Sequence, residues 1–159
     1  MVIITHSKEE TFDLAKVFSQ YLEPGMFIRL DGQLGSGKTT FVQGIGKALN
    51  ITRAIKSPTY TIVKTYPIDQ GQLVHIDAYR LEETDADTID LPYLMGPDTI
   101  VFIEWAEFIE EELPASYLHI QIEYMGETDR RITIAVENEE NNDYDALMKG
   151  LDEWNEARA

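Results

Sequence analysis

Apolar residues recur along the chain in two spacings, one typical of strands and the other typical of helices. Short runs rich in β-branched and aromatic residues predict a series of strands. One of them, Thr99–Ile103, is a continuous apolar run, as expected of a buried central strand. In chain order the predicted strands are Val2–Thr5, Met26–Leu30, Tyr60–Tyr66, Gln72–Ile76, Thr99–Ile103, Tyr117–Tyr124 and Arg130–Val136.

Two pairs of these strands are predicted to form hairpins. Pro67 and Asp69–Gly71 separate the third strand from the fourth, and Gly126 lies between the last two strands. Gly, Pro and Asp favour turns, so strands joined by such short connections are expected to lie side by side.

The segment after the first strand is predicted to be a helix. Ser7 followed by Glu10 is a capping-box pattern, in which each side chain satisfies a free backbone N–H at the helix start. Apolar residues then recur at helical spacing, at Leu14, Phe18 and Tyr21.

Further helices are predicted after the second strand and near the C-terminus. One is expected from Thr39 to near Asn50, where Gly44 and Gly46 would let it approach the sheet closely. A short helix is expected at Ala106–Leu113. The apolar face of a terminal helix consists of Tyr144, Leu147, Leu151 and Trp154.

Strands that alternate with helices, together with hairpins, predict an α/β fold with a mixed central sheet. The length of 159 residues suits one domain. Residues 137–143 are acidic and Asn-rich, and they predict a solvated linker. We therefore expect a main domain over residues 1–136. Residues 137–159 would form an acidic linker and a helix packed on, or appended to, the same domain.

The charge balance narrows the classes of partner. Asp and Glu number 29 against 13 Lys and Arg, for a formal net charge of -16. This excess disfavours direct binding to a nucleic-acid backbone or to an anionic membrane, both of which need clustered basic residues. There are no cysteines, which excludes disulfides and thiolate chemistry. No apolar run long enough for a membrane span and no signal peptide are recognised, so a cytoplasmic protein is expected.

Gly32–Thr39 (GQLGSGKT) matches the phosphate-binding pattern G-x-x-x-x-G-K-[ST] at each fixed position. It follows a predicted strand and opens a predicted helix, which is the context that the motif requires. Glycines let backbone N–H groups point into one concavity, and the helix N-terminus adds partial positive charge. Lys38 is expected to reach the β and γ phosphates, and the Thr39 hydroxyl to bind Mg²⁺. The alternative is a Gly-rich turn without a ligand.

Two acidic residues follow apolar strands and are candidates for the metal site. Glu104 follows the more apolar strand and is the stronger candidate, since such a carboxylate can hold Mg²⁺ or polarise an attacking water. Asp77 is the second candidate. The alternatives are a helix N-terminal acid for Glu104 and a loop acid for Asp77. His75 lies two residues before Asp77 on the same strand, so both are expected on one face.

ATP is the preferred nucleotide, because the chain contains neither an Asn-Lys-x-Asp run nor an Asp-x-x-Gly after the strand that precedes Glu104. Trp105, next to Glu104, could stack on a base or a partner, and core packing is an equal alternative.

Four motifs occur together in a specific order. They are Leu30–Thr40 (LDGQLGSGKTT), Ser57–Tyr60 (SPTY), His75–Arg80 (HIDAYR) and Val101–Trp105 (VFIEW). In this combination the chain resembles the TsaE family (older name YjeE) of small bacterial P-loop ATPases, over about residues 1–136. Ser36 stands where the family usually has Ala, but its backbone N–H remains available for phosphate.

The resemblance implies a three-layer P-loop NTPase-like fold, with a mixed central sheet flanked by helices and additional antiparallel hairpins. It implies a role in forming N6-threonylcarbamoyladenosine at position 37 of tRNAs that read codons beginning with A. The chain would be a Mg²⁺-dependent ATPase, slow alone, that binds the heterodimer of the transferase TsaD and its partner TsaB and supports repeated turnover. The charge of -16 fits a role that leaves the tRNA to those partners.

The resemblance also implies roles for individual residues. Lys38, Asp77 and Glu104 would be catalytic, and Thr39 and Glu104 would hold Mg²⁺. The ATP or ADP contacts would come from the P-loop and the last hairpin, through Leu34, Gly35, Ser36, Gly37, Lys38, Thr39, Thr40 and Arg130 (or Arg131). A switch-like loop would comprise Ser57, Pro58, Thr59 and Tyr60. A partner or nucleotide face would comprise His75, Tyr79, Arg80 and Trp105.

Two other function classes stay open on the residues alone. A small-molecule kinase would suit the motif and the size, although no Arg-rich phosphate lid is evident among the 13 basic residues. A nucleotide-dependent binding module with negligible catalysis is the other. Release of phosphate, a phosphorylated product, or neither would separate the three classes.

Overall fold

The computed structural model describes residues 1–33, 35–52, 55, 63–79, 90–139 and 142–159. Within these ranges the chain forms one seven-stranded sheet with the strand order β1-β7-β6-β2-β5-β4-β3. The strands are β1 (Val2–Thr5), β2 (Phe27–Gly32), β3 (Val63–Ile68), β4 (Gly71–Asp77), β5 (Thr99–Glu104), β6 (Tyr117–Tyr124) and β7 (Arg130–Glu137). The helices are α1 (Lys8–Ser19), α2 (Lys38–Ala48), α3 (Leu91–Leu94), a 3₁₀ helix (Ala106–Glu112) and α4 (Asp145–Ala157).

The sheet is mixed, as the sequence predicts. β2 runs parallel to both of its neighbours, β5 and β6, and β4 runs parallel to β5. The outer pairs β3–β4, β6–β7 and β1–β7 are antiparallel. Because β2, β5 and β4 are adjacent and parallel, their carboxyl ends meet at one edge of the sheet. That edge is where open α/β sheets place their ligands.

Helices cover both faces of the sheet and give three layers. On one face α1, α2 and α4 contribute fully buried Leu14, Phe18, Phe41 and Leu147 to the larger core. Phe18 and Phe41 meet edge to face, with ring centroids 5.4 Å apart. On the other face α3 and the 3₁₀ helix cover β4 and β5, and Leu91, Ala106 and Ile109 fill the smaller core. None of the described helices is long and apolar enough to cross a membrane.

The predicted capping box forms at the start of α1. The Ser7 hydroxyl accepts a hydrogen bond from the Glu10 amide at 3.1 Å. The Glu10 carboxylate accepts in turn from the amide of His6, one residue before the cap, at 2.7 Å. Two free donors at the helix start are therefore satisfied.

The hairpin between β3 and β4 differs from the prediction, because Pro67 lies inside β3 and pairs with Gln72 instead of lying in the turn. Proline cannot donate to a neighbouring strand, but β3 is one of the two edge strands of the sheet formed by the described residues, and a missing N–H is tolerated at an edge. The turn is reduced to Asp69 and Gln70.

Gly44 and Gly46 of α2 were predicted to let the helix approach the sheet, but in the structure they face other elements. A Cβ built on Gly44 would lie 2.7 Å from the Phe12 ring and 2.8 Å from the Ala15 Cβ, both on α1. Gly46 faces the side chain of Ile55. The close approach is therefore between two helices and a loop residue, not between α2 and the sheet.

The C-terminal helix is joined to the main core. Leu147 and Leu151 of α4 are fully buried. Just before α4, the Tyr144 hydroxyl accepts from the Phe27 amide at 3.0 Å and lies 3.2 Å from the Phe27 carbonyl, to which it donates. Burial raises the pKa of this hydroxyl above its ordinary value. These contacts tie the end of the chain to β2, although a domain boundary at residue 136 stays a prediction.

Candidate functional site

The Gly-rich loop links the carboxyl end of β2 to the first residue of α2. Gly35 and Gly37 have φ angles of +79° and +112°, in the left-handed region that favours glycine. Ser36 between them is fully buried. The loop therefore delivers the N-terminus of an 11-residue helix, with its partial positive charge, to the edge where the parallel strands end.

Lys38 lies folded across this loop. Its ammonium donates to the Gly32 carbonyl at 2.8 Å and lies 4.3 Å from the centre of the Trp105 ring. The side chain lines a pocket of about 260 Å³ together with Arg29, Asp31 and Trp105. A charged amine held against a carbonyl and an aromatic ring is poised beside the loop, and a stronger anionic partner could draw it away.

Two carboxylates meet at the ends of β4 and β5. Asp77 and Glu104 are partners in the strand register, and each is 3% exposed. The Nε2 of fully buried His75 lies 2.6 Å from the Glu104 Oε2. Glu104 also lies two residues before the first residue of the 3₁₀ helix, a position of the kind that the alternative of a helix N-terminal acid expects. Asp77 accepts from the Tyr79 amide at 3.0 Å, a local contact of the kind that the loop-acid alternative expects.

The donor set suits Mg²⁺ in the manner of a nucleotide site. Among the described residues no group of three or more His, Cys, Asp or Glu side chains could hold a metal ion by itself. Mg²⁺ in such sites is commonly held by one or two carboxylates, water and the phosphates of the substrate. Glu104, Asp77 and the hydroxyl of Thr39, the second residue of α2, provide oxygen donors of that kind.

The last hairpin supports the Gly-rich loop from outside. The Tyr124 hydroxyl donates to the Gly35 carbonyl, and the Arg130 Nε donates to the Ser36 carbonyl at 2.9 Å. The Arg130 guanidinium also lies 4.5 Å from the centre of the Tyr124 ring and donates to three carbonyls of the hairpin turn. Arg130, a predicted nucleotide contact, is thus engaged with the loop itself. Tyr124 was not predicted, because only the folded hairpin brings it to Gly35.

A second pocket of about 190 Å³ opens beside the loop. The start of α1 lines one side with Ser7, Lys8 and Thr11, and the hairpin lines the other with Thr128 and Arg130. Thr40 of the P-loop motif also lines it. These hydroxyls and cations are suited to the polar parts of a nucleoside.

The residues predicted to form a partner or nucleotide face are not all at the surface. Tyr79 is 46% exposed, and its ring lies 5.0 Å from that of Trp105. Trp105 stacks on Phe108 of the 3₁₀ helix at 6.3 Å and has a positive φ of 59°. His75 has no exposed surface, so in this conformation it cannot meet a partner directly.

A charged network that the sequence did not predict surrounds Asp31, the residue before the P-loop motif. His119 Nε2 lies 2.6 Å from the Asp31 Oδ2, and the Arg29 Nε donates to the same oxygen at 2.9 Å. Burial opposes ionisation of Asp31, but the His119 hydrogen bond and the Arg29 charge together lower its pKa. The bond to Asp31 raises the pKa of His119. Arg29 and Asp31 lie two residues apart on β2, and only the pairing of β2 with β6 brings the distant His119 to them.

Some predicted site residues lie outside the described part of the chain. They are Leu34 of the P-loop, Arg80, and the switch-like loop Ser57, Pro58, Thr59 and Tyr60. Their roles stay predictions.

Comparison with known proteins places this site in a family. A family model described as "Threonylcarbamoyl adenosine biosynthesis protein TsaE" matches residues 5–132. The tRNA threonylcarbamoyladenosine biosynthesis protein TsaE of Bacillus subtilis (strain 168) is 39% identical over 147 residues, 92% of this chain and 90% of that protein. The protein of the same name from Nostoc sp. is 38% identical over 136 residues, 83% of each chain.

A solved structure agrees with these matches. The crystal structure of Bacillus subtilis YdiB superposes with a TM-score of 0.79 at 34% identity, and the match covers 97% of this chain and 95% of that one. Since the family model and the relatives span most of the sequence, this chain belongs to the TsaE family.

Proposed function

We propose that this chain is a Mg²⁺-dependent ATPase that acts with the TsaB–TsaD heterodimer in forming N6-threonylcarbamoyladenosine on tRNA. Membership of the TsaE family supports the pathway, since the matched relatives are named for it. The site geometry supports the chemistry. A role in tRNA modification is consistent with a cytoplasmic location, which we include in the proposal.

One observation carries the ATPase part of the proposal. The P-loop and its Lys38 lie at the end of β2, and the buried carboxylates of Glu104 and Asp77 lie at the ends of the next two strands. Hydrolysis of a phosphoanhydride requires groups that bind the phosphates, and it requires carboxylates that orient a metal ion and a water molecule. This arrangement provides both.

Each residue then has a definable part. On nucleotide binding, Lys38 exchanges the Gly32 carbonyl for phosphate oxygens, which form stronger charge-assisted hydrogen bonds. Thr39 and Glu104 would hold Mg²⁺, which supplies neutralisation of the phosphate charge when bound. Asp77 would orient the attacking water. The nucleoside would lie in the pocket between Lys8 and Arg130.

The overall charge supports a division of labour with the partners. With a net charge of -16 the chain is a poor direct ligand for tRNA, whose backbone is also anionic. The partners would therefore contact the tRNA, and this chain would contribute ATP binding and hydrolysis.

Thermal melts with Mg²⁺ and nucleotide test the site. A ligand that binds only the folded state at 100-fold excess over its Kd adds about 2.7 kcal/mol of stability, so the melting temperature is expected to rise. Lys38→Ala should lose most of that rise, whereas Lys47→Ala, an exposed lysine of the same helix, should keep it. No rise with any nucleotide would refute the site, and equal rises with GTP would refute the ATP assignment.

Product analysis tests the reaction. Free phosphate released from ATP supports the ATPase. A phosphorylated small molecule formed without release of phosphate would instead favour the kinase alternative.

A further inference from the structure

We propose that His75 is a positioning residue that holds the Glu104 carboxylate in the orientation needed for the metal and the attacking water. The inference rests on the proposed ATPase function and assigns to His75 a task inside the site, not on a partner-binding surface. It concerns only side chains of this chain and the contact between them.

The contact itself is short and enclosed. His75 Nε2 lies 2.6 Å from the Glu104 Oε2, with the His75 side chain 0% and the Glu104 side chain 4% exposed. Such a distance is shorter than the usual range of about 2.7–3.2 Å for a nitrogen donor and an oxygen acceptor, so the two buried side chains are held in close contact.

The strand register keeps the two groups together. His75 pairs with Phe102, and Asp77 pairs with Glu104, so both side chains project from the same face of adjacent parallel strands. Both strands are flanked by others on each side, so their backbones are fixed. Glu104 therefore receives its hydrogen bond from a rigid element, as an oriented carboxylate requires.

The same contact sets the tautomer of the imidazole. An ionised carboxylate can only accept hydrogen bonds, so Nε2 carries the hydrogen in a neutral ring and Nδ1 is left as an acceptor. Among the described residues that buried Nδ1 has no partner. A buried polar atom without a partner opposes stability, so the ring is poorly explained as a device for stability alone.

The hydrogen bond to Oε2 leaves the other carboxylate oxygen of Glu104, Oε1, to bind a metal ion or a water molecule. With Oε2 engaged by His75, rotation of the carboxylate is restricted, and this limits the directions that Oε1 can take. Partners that orient a ligand in this way commonly change metal affinity or activity by 10- to 100-fold when they are removed.

Two substitutions and one control test the proposal. His75→Leu removes the donor and keeps an apolar side chain, while His75→Gln places an amide nitrogen near the position of Nε2. Leu73→Val is the matched control, because Leu73 is fully buried on the same face of β4, two residues away. The readouts are the Mg²⁺ concentration for half-maximal stabilisation by ADP, the stabilisation by ADP in EDTA, and kcat with KM for ATP.

The expected result is specific to Mg²⁺ and to turnover. His75→Leu should raise the half-maximal Mg²⁺ concentration and lower kcat, each by roughly 10-fold or more. The KM for ATP and the stabilisation by ADP in EDTA should change little. His75→Gln should restore most of both values, and Leu73→Val should leave both unchanged. Equal losses in His75→Leu and Leu73→Val, or no recovery in His75→Gln, would overturn the proposal.

A spectroscopic measurement that needs no nucleotide separates this inference from the proposed function. The ¹⁵N shifts of the His75 ring should report hydrogen on Nε2 and none on Nδ1, and Glu104→Ala should remove the hydrogen-bond shift of the Nε2 proton. The opposite tautomer would overturn the positioning role even if ATP is hydrolysed. If no nucleotide binds, the proposed function fails, and this measurement alone decides the His75–Glu104 contact.

Discussion

At the scale of single residues, Glu104 is expected to serve hydrolysis more than nucleotide binding. In Glu104→Ala the phosphates keep the P-loop and Lys38, so the nucleotide-induced rise in melting temperature should persist. Phosphate release should fall by about 100-fold, because the metal loses a ligand that positions it. Glu111→Ala, an exposed acid of the 3₁₀ helix, is the control. Normal hydrolysis in Glu104→Ala with none in Asp77→Ala would transfer the role of metal ligand to Asp77.

The network at His119 predicts a dependence of stability on pH. His119 has a raised pKa in the folded chain, so its contribution is complete below about pH 6.5 and disappears as the pH rises through the folded value. Asp31 has a lowered pKa, so its contribution is present above about pH 4 and disappears as the pH falls through the folded value. The groups facing His119 are Asp31, Glu137 and Arg29. The network should therefore stabilise the fold most between about pH 4 and 6.5.

Urea unfolding at pH 6 and pH 9 measures this dependence. His119→Gln keeps a neutral donor but removes the charge, so it should lower the free energy of unfolding by about 1 kcal/mol more at pH 6 than at pH 9. His6→Gln, with 61% of its side chain exposed, serves as the histidine control. A loss that is the same at both pH values would show that the charge of His119 contributes nothing.

At the scale of elements, the packing of α1 on α2 predicts the effect of Gly44→Ala. Alanine favours a helix over glycine by about 1 kcal/mol, so an isolated helix would gain stability. Here the added Cβ would lie 2.7 Å from the Phe12 ring and 2.8 Å from Ala15, and overpacking costs about 1–3 kcal/mol. We expect a net loss of about 1 kcal/mol in urea unfolding, while exposed Lys47→Ala changes little. A more stable Gly44→Ala variant would mean that the helices separate freely.

The contact between the last hairpin and the P-loop makes a separate prediction. If Arg130 acts by holding the Ser36 carbonyl, then Tyr124→Phe, which removes only the bond to Gly35, should also weaken nucleotide binding. Each change should raise Kd about 3- to 10-fold, with non-additive effects in the double variant. Glu123→Ala, an exposed neighbour of Tyr124 on β6, is the control. An effect of Arg130→Ala alone would favour direct nucleotide contact instead.

The elements themselves were largely predictable from sequence, and their mutual contacts were not. β5 was evident because every residue of it is buried, which leaves a continuous apolar run. The Gly-rich motif was evident because the phosphate-binding pattern has defined residue types at fixed spacing. The place of Pro67 depended on β3 being an edge strand, and the His75–Glu104 contact depended on the register of β4 with β5. Neither is encoded locally, since both follow from the order of strands.

At the scale of the whole molecule, the arginines in the described part of the site are already engaged by other groups of the chain. The guanidinium of Arg29 is engaged by Asp31, Glu110 and Tyr117, and that of Arg130 by backbone carbonyls. Of the arginines that the structure describes beside the P-loop, these two line its pockets. A partner that supplies a cationic group can raise hydrolysis by up to about 10³–10⁵-fold in P-loop proteins.

Hydrolysis by the isolated chain is therefore expected to be slow and to rise at least about 10-fold with the TsaB–TsaD heterodimer. A partner that binds the ATP-bound state better must also raise the affinity for ATP by the same factor, because the two equilibria are linked. Phosphate release is measured for the chain alone, for the heterodimer alone and for the mixture of the two. A fourth sample contains the heterodimer mixed with the Lys38→Ala variant. The Lys38→Ala mixture should fall to the rate of the heterodimer alone, which assigns the gain to this site. A chain that turns over as fast alone as in the mixture, or that forms no complex with any nucleotide bound, would contradict dependence on these partners.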